Sequence, residues 1–144
     1  GLRCYPDIES VPRGIDLAVL AIAAHARQRE QFGRPIGANQ AIKHRLADHW
    51  MALDDAWLAG EAAAREMDVH GASQAERALL YAELLAAEAA QAAAQFAVQV
   101  HGAMGITWEC DAHLYLKRVL HQIARMQAGR TRAWMLERLW ALAA

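Results

Sequence analysis

The side chains best suited to hold an anion lie around one turn of the chain, between residues 29 and 40. Arg29 and Arg34 flank the dipeptide Phe32-Gly33. A guanidinium presents a planar fork of N–H donors, which matches two phosphate oxygens better than the point charge of a lysine does. Gln40 falls in the first turn of the helix that follows, where free backbone N–H groups favour a negative ligand. The turn is therefore a candidate anion site, although each residue taken alone is more often solvated or ion-paired.

Other kinds of catalytic or metal site find no support in the sequence. The seven histidines form no His-Glu-x-x-His pattern, and no Glu-x-x-His pair of a ferritin-like metal bundle occurs. Cys4 and Cys110 have neither metal-ligand spacing nor a disulfide framework, which favours reduced thiols. The glycines at residues 102–105 follow a helix instead of a strand, so they are not a dinucleotide fingerprint, and no Ser or Cys sits in a nucleophile elbow.

Composition restricts the class of protein. The 144 residues suit one domain with a real core. The net charge is −1 and no basic cluster is present, which argues against a nucleic-acid partner. No apolar run approaches the roughly 20 residues that span a bilayer, and the first residues lack the pattern of a signal peptide. We therefore expect a cytoplasmic protein without a membrane segment.

The elements that must position the candidate site are helical. The first helix is predicted from Arg13 to Phe32, with Gly33 and Pro35 as its stop signals. A second begins near Ala38 and fades between residues 68 and 71. Strand signals are weak throughout, with no hairpin dipeptide between alternating runs. The apolar stripe predicted for the second helix comprises Ile42, Leu46, Trp50, Leu53 and Trp57.

The second half of the chain follows the same pattern. Ser73 and Glu76 have the spacing of a capping box for a third helix that runs to about Val100. Its paired alanines would allow a neighbouring helix to approach closely. Asp111 is the predicted N-cap of a fourth helix, and a short last helix lies between Gly129 and residue 144. The predicted fold is all-α, an antiparallel four-helix bundle with a short extra C-terminal helix. Residues 1–13, interrupted by two prolines, are predicted to form an irregular N-terminal segment, and residues 14–144 are predicted to form the bundle.

Two blocks of sequence resemble motifs of one known family. Residues 29–37 read Arg-Glu-Gln-Phe-Gly-Arg-Pro-Ile-Gly and are followed by Gln40 and by Leu-Ala-Asp at 46–48. Residues 99–109 read Gln-Val-His-Gly-Ala-Met-Gly-Ile-Thr-Trp-Glu, similar to a Gln-x-x-Gly-Gly-x-Gly segment. In order and spacing both resemble the C-terminal helical domain of acyl-CoA dehydrogenases, over residues 14–144. His-Leu-Tyr-Leu-Lys-Arg at 113–118 is similar to actinobacterial members that act on steroid or other bulky acyl-CoA thioesters.

The resemblance implies a flavoprotein that desaturates the Cα–Cβ bond of an acyl-CoA substrate, working as a homo- or hetero-oligomer with FAD lying between subunits. It further implies a role in FAD binding for six residues. Arg29 would bind the pyrophosphate, Phe32 would pack beside the cofactor and Gln40 would add a polar contact. Gln99 and the backbone at Gly102 and Ala103 would hold the adenosine-diphosphate half of a partner's FAD.

Three departures from the family pattern change this expectation. The usual catalytic glutamate precedes a Gly-Thr pair, but residues 126–130 here read Met-Gln-Ala-Gly-Arg, and the alternative position falls at about Arg3. A general base needs a carboxylate within hydrogen-bond reach, so we expect no catalytic residue in this chain and a base supplied by a partner. Ala103 replaces the second glycine of the family segment. The N-terminal helical and middle β-domains of the family have no counterpart in these residues.

A second hypothesis belongs to a different class. The chain could be a non-enzymatic oligomerisation module, whose apolar stripes and alanine-rich helix assemble copies while the flavin site has decayed.

Overall fold

The computed structural model describes residues 16–143, and the helices in this range confirm the all-α class. They are α1 (Asp16–Gln28), α2 (Gln40–His70), α3 (Glu76–His101), α4 (Ala112–Met126) and α5 (Arg132–Ala141). The central helix is α3, which packs against the other four. Short links join the helices, and none of those described is long and apolar enough to cross a membrane. The predictions for residues 1–13, and for a helix start at Arg13, lie outside the described residues.

A small hairpin follows α1, and the sequence-based prediction missed it. The first helix ends at Gln28, not at Phe32, and two strands pair antiparallel, β1 (Glu30–Gln31) with β2 (Arg34–Pro35). Phe32 and Gly33 connect them with φ angles of 53° and 75°. Positive φ at both central residues defines a two-residue type I′ turn, which is usually signalled by Asn-Gly or Asp-Gly. Because Phe occupies the first position here, the turn carries no recognisable signal.

The buried face of α2 is rotated from the predicted stripe. Leu53 is buried, together with His49 and Ala56, whereas Trp50 and Trp57 are exposed. At 100° per residue, the two tryptophans lie on one side of Leu53, and His49 and Ala56 lie on the other. The neighbouring helices cover the second side. Both tryptophans belong to the predicted apolar stripe, but they lie outside the core, so the stripe was wrong as a prediction of the buried face.

The prediction of close helix approach at α3 is confirmed. Small residues fill its inner face, and the buried alanines are Ala87, Ala89, Ala93, Ala94 and Ala97. One cluster joins three of the helices through Val19 of α1 and Leu53 of α2, which pack with Ala89 and Ala93. Short side chains let the backbones of these helices approach while the interface between them stays closely packed.

The predicted capping box of α3 is wrong. Its N-cap is Ala75, with no side-chain cap, and the Glu76 carboxylate instead accepts two hydrogen bonds from Arg138 at 2.7 and 2.8 Å. Asp111 does hold the N-cap position of α4, although without a side-chain hydrogen bond. The hydroxyl of Thr131 caps α5 by accepting from the Trp134 N–H at 3.2 Å.

Candidate functional site

A pocket of about 480 Å³ brings the two sequence blocks together. It lies where the end of α1, the hairpin and the start of α2 meet the end of α3. Four of the six predicted residues line it, namely Arg29, Gln99, Gly102 and Ala103. Arg29 and Gln99 are separated by 70 positions in the sequence, so only the packing of α1 against α3 could place them in one cavity. Such a volume is within the range of small-molecule sites, about 300–1,000 Å³.

The backbone of Arg29 is fixed on both sides. Its N–H donates to the carbonyl of His25 at 2.8 Å, and its own carbonyl accepts from the Ile36 N–H at 2.8 Å. The end of α1 and the hairpin therefore fix together the backbone from which the side chain projects. Arg34 is used differently, because its Nη2 donates to Asn39 Oδ1 at 2.8 Å. Of the two candidate arginines, only Arg29 lines the pocket.

Two predicted residues lie outside the lining. Phe32 is fully exposed at the tip of the hairpin, and its φ of 53° is unusual for a bulky residue. Gln40 is exposed as the first residue of α2. Their contacts to a cofactor remain predictions.

Glycine is required where α3 ends. Gly102 caps the helix with φ of 63°, and its N–H donates to the Gln99 carbonyl. A 3₁₀ turn, Gly102–Ile106, follows. At Gly105 a Cβ atom would lie only 2.5 Å from the Val98 carbonyl oxygen, so this residue lets the turn fold back onto α3. Ala103, where the family pattern has glycine, is exposed and faces the pocket.

Two histidines that were not among the predicted site residues, His25 and His101, also line the pocket. The rings of His25 and His101 lie with centroids 3.9 Å apart at an angle of 30°. Burial, followed by the neighbouring His101 and then Arg29, holds the pKa of His25 below its usual value, against a hydrogen bond to the Val100 backbone that raises it. The helical spacing of His25 and Arg29, four positions apart, was a signal that could have placed both on one face.

The charge of the pocket favours an anion. Its described lining contains Arg29, the two histidines and the amides of Gln31, Asn39 and Gln99, and no carboxylate. Ile22, Phe96 and Ala97 form the buried cluster beneath it. A cationic fork, amide donors and an apolar floor are what a phosphorylated ligand with an apolar portion requires.

The site of the expected catalytic base holds no carboxylate of its own. At residues 126–130, the Arg130 guanidinium donates to the Met126 carbonyl at 2.7 Å and to Glu83 at 3.0 Å. Glu83 precedes Gln99 by 16 residues on α3, roughly 24 Å at the rise of an α-helix. Arg3, at the alternative position, lies outside the described residues. Within the described range, no group of three His, Cys, Asp or Glu could hold a metal ion, and Cys110 is a free thiol.

Comparison with known proteins identifies the family. The sequence model of the family described as acyl-CoA dehydrogenase, C-terminal domain, matches residues 12–140. The chain belongs to the acyl-CoA dehydrogenase family. It is 42% identical over 119 residues to the acyl-CoA dehydrogenase FadE34 of Mycobacterium tuberculosis, a match that covers 83% of this chain and 16% of that protein. It is 41% identical over 119 residues to the acyl-CoA dehydrogenase IpdE2 of Mycolicibacterium smegmatis, covering 81% of this chain and 34% of the relative.

Solved structures agree on the fold of this acyl-CoA dehydrogenase domain. A protein of Mycobacterium abscessus described as an acyl-CoA dehydrogenase superposes with a TM-score of 0.69 at 21% identity, over 81% of this chain and 32% of that one. A structure of the electron transferring flavoprotein of Acidaminococcus fermentans gives 0.68 at 26% identity, over 83% and 32% of the two chains. The chain thus spans between 16% and 34% of the length of these relatives and solved structures.

Proposed function

We propose that this chain is the FAD-binding and oligomerisation domain of a flavin-dependent acyl-CoA dehydrogenase. The observation that carries the proposal is the pocket in which Arg29 and Gln99 meet. Family membership supports it, because the two blocks that line the pocket are those that resemble the family's motifs. Two mycobacterial relatives bear the name acyl-CoA dehydrogenase.

The residues present fit the phosphate-bearing part of FAD. The Arg29 guanidinium would pair with pyrophosphate oxygens, and the Gln99 amide would donate beside it. Gly102 leaves the backbone open, since no atom lies within 4 Å of where its Cβ would be. Phe32 at the hairpin tip and Gln40 at the start of α2 would contact the cofactor from outside the pocket, and Ala103 would contact it from the rim. Bound FAD supplies a hydride acceptor for the Cβ hydrogen of an acyl-CoA.

The chain would contribute binding and assembly, and a partner would contribute the base. The described pocket has no carboxylate to remove an α-proton, and Glu83, the acid beside residues 126–130, is in an ion pair with Arg130. Neither a glutamine nor a paired arginine can act as the base. We therefore propose a hetero-oligomer in which a second acyl-CoA dehydrogenase subunit carries the catalytic glutamate.

Replacement of Arg29 tests the cofactor role. Loss of a charge-assisted hydrogen-bonding group typically costs about 1.5–3 kcal/mol, so Arg29→Ala should weaken FAD binding roughly ten- to hundredfold. The matched control is Arg27→Ala, because Arg27 is exposed on α1 and does not line the pocket. Titration of each variant with FAD, followed by flavin fluorescence, gives the affinities. Equal affinity in the two variants would contradict the proposal.

The alternative, a non-enzymatic oligomerisation module, is favoured by a different observation. Large apolar side chains are exposed on several helices and in the turn before α4, among them Trp50, Trp140 and Trp108. Exposed apolar patches of this kind commonly mark protein interfaces. Sedimentation combined with flavin titration separates the two functions. A stable oligomer with no measurable affinity for FAD, alone or mixed with a catalytic subunit, would favour the module.

A further inference from the structure

We propose that His25 and His101 form a proton-linked phosphate contact in this pocket, so that a diphosphate ligand binds together with a proton. The inference deepens the proposed function, on which it rests. It assigns a role to two residues other than Arg29 and Gln99. It is carried by the contact between the two rings, by the hydrogen bond that fixes the His101 ring and by the absence of carboxylates from the described pocket lining.

The hydrogen bond of His101 determines what its free nitrogen can offer. Its Nδ1 lies 2.7 Å from the Ala97 carbonyl oxygen, which can only accept a hydrogen bond, so Nδ1 carries the proton. In the neutral ring Nε2 is then a lone pair and an acceptor. A phosphate oxygen is also an acceptor, and the two would repel. Contact with a phosphate at Nε2 therefore requires that the ring take up a second proton.

His25 is in a similar situation. One ring nitrogen is hydrogen-bonded to the backbone of Val100, which favours its protonated form. Burial, the adjacent His101 and Arg29 act in the opposite direction and keep the pKa low. In the ligand-free pocket it is thus unfavourable for both rings to be charged, because two imidazolium groups and the Arg29 guanidinium would share one cavity.

No described group opposes this charge from another side. The hairpin contributes Gln31, and the start of α2 contributes Asn39 and Ile42, all uncharged. The end of α3 contributes Gln99, and the turn after it adds only Gly102, Ala103 and Met104. A doubly negative diphosphate would supply the missing countercharge. Its negative charge would favour the protonated form of the ring that contacts it, and the complex would hold a proton that the free protein lacks.

The direction of the pH dependence follows by linkage. A ligand whose complex binds one more proton than its components gains affinity as pH falls, by up to about tenfold per pH unit, between the pKa of the complex and that of the free site. Above the pKa of the complex the dependence disappears. A pocket that used neutral histidines as acceptors for ribose hydroxyls would show the opposite trend, since protonation would remove the acceptors.

The test measures affinity against pH with a ligand that does not titrate. ADP-ribose and FAD carry a diphosphate diester, whose charge stays constant from about pH 8 to about pH 6, the range in which histidine changes charge. Isothermal titration of the 144-residue chain with ADP-ribose should show a dissociation constant that falls several-fold per pH unit towards pH 6. Adenosine, which lacks phosphate, serves as the control ligand and should show no such slope.

Variants assign the slope to the pair. His25→Gln and His101→Gln should each flatten it, and the double variant should abolish it. His101→Lys, whose charge does not change in this range, should restore affinity at pH 8 without restoring the slope. His121→Gln is the matched control, because His121 is exposed on α4 and does not line the pocket. Far-ultraviolet circular dichroism confirms that each variant is folded, and any misfolded glutamine variant is replaced by asparagine.

The outcomes distinguish this inference from the function on which it rests. Binding of ADP-ribose or FAD with a flat or inverted pH profile overturns the histidine contact and leaves the proposed function in place. The same slope in the double variant as in the wild type also overturns it. No binding of either ligand at any pH overturns both.

Discussion

The two ends of α3 use arginine in opposite ways. Near its first half, arginines from the last part of the chain pair with its glutamates, Arg130 with Glu83, Arg132 with Glu88 and Arg138 with Glu76. At its C-terminal end, Arg29 lines a pocket whose described residues include no acid. The first set of guanidiniums forms ion pairs within the chain and helps to hold α5 against α3. At the second end, Arg29 has no carboxylate to pair with among the described lining residues.

This difference indicates that one helix can carry stabilising ion pairs in its first half and a binding pocket at its C-terminal end. Acidic residues on α3 occur at 76, 83 and 88, all in its first half, and none follows before the pocket. An internal ion pair lowers the capacity of an arginine to bind a ligand, because its donors are already used. The comparison therefore predicts that changes at one end alter stability and changes at the other alter binding.

The largest expected effects come from the two most buried large side chains. Met135 at the α5 end and Ile22 under the pocket are both 0% exposed. Met135→Ala and Ile22→Ala should each lower the free energy of unfolding by about 2–5 kcal/mol. Only Ile22→Ala should also weaken the binding of FAD, because Ile22 packs on Phe96, which lines the pocket. Urea denaturation and flavin titration measure the two quantities.

Val69→Ala is the control for this pair, since Val69 is exposed and its truncation should change stability by less than about 0.5 kcal/mol. If Met135→Ala weakened FAD as much as Ile22→Ala, the two ends would not be separable and the comparison would be wrong.

A smaller effect is expected at the turn after α3. Gly105→Ala should lower the free energy of unfolding by about 1–3 kcal/mol, because the new Cβ would collide with the Val98 carbonyl and shift the turn. FAD affinity should fall with it, since Gly102 and Ala103 move with that turn. Gly60→Ala is the matched control, because nothing lies within 4 Å of its Cβ position within α2. That change should raise stability by about 0.5–1 kcal/mol without touching binding.

The sequence predicted the helices well because their signals are local. The periodicity of α2 and α3, and the position of Asp111 before α4, required only neighbouring residues. It failed where tertiary packing decides. Trp50 and Leu53 belong to the same stripe, and only the positions of α1 and α3 determine which side of it is buried. The Glu76 carboxylate likewise has two possible partners, and Arg138, 62 residues away, replaced the local cap.

The candidate site could be predicted only in part, because its residues come from separate elements that meet through tertiary packing. Arg29 was predicted from the chemistry of its turn and from the resemblance to a known family, and Gln99 was predicted from that resemblance alone. Their meeting in one pocket is a property of the fold. The pairing of His25 with His101 could not be inferred, since it depends on the angle at which α1 crosses α3. Whether Phe32 and Gln40 contact a cofactor remains a prediction from that resemblance.

The pH dependence of stability should come largely from the two histidines whose pKa is lowered by burial, His49 and His25. Burial, then the nearby Arg45, holds the pKa of His49 below its ordinary value of 6.5, against the effect of Asp48. The unfolded chain therefore binds a proton at His49 that the native state excludes. The contribution of neutral His49 to the free energy of unfolding is fully present above pH 6.5 and is lost as the pH falls below that value. His25, whose pKa is also lowered, acts in the same direction. Thermal unfolding should show a lower melting temperature at pH 5.5 than at pH 7.5.

His49→Leu sharpens this prediction. The His49 Nε2 is buried and has no hydrogen-bond partner among the described residues, so an apolar side chain of similar size should stabilise the protein and reduce the slope. His44→Leu on the same helix is the control, because His44 is exposed. A pH slope unchanged in His49→Leu would show that other groups cause the loss.

The smallest expected effect is on the ion pairs, and it tests the comparison directly. Arg132 and Glu88 are both well exposed although they lie 2.7 Å apart, so Arg132→Ala should lower the free energy of unfolding by only about 0.2–1 kcal/mol. It should leave FAD affinity unchanged, because Arg132 is remote from the pocket lining. Arg29→Ala should do the reverse, with little change in stability and a large loss of binding. A loss of stability at Arg29 greater than that at Arg132 would mean that Arg29 is also a structural residue, and that the free charge at the pocket is already used within the chain.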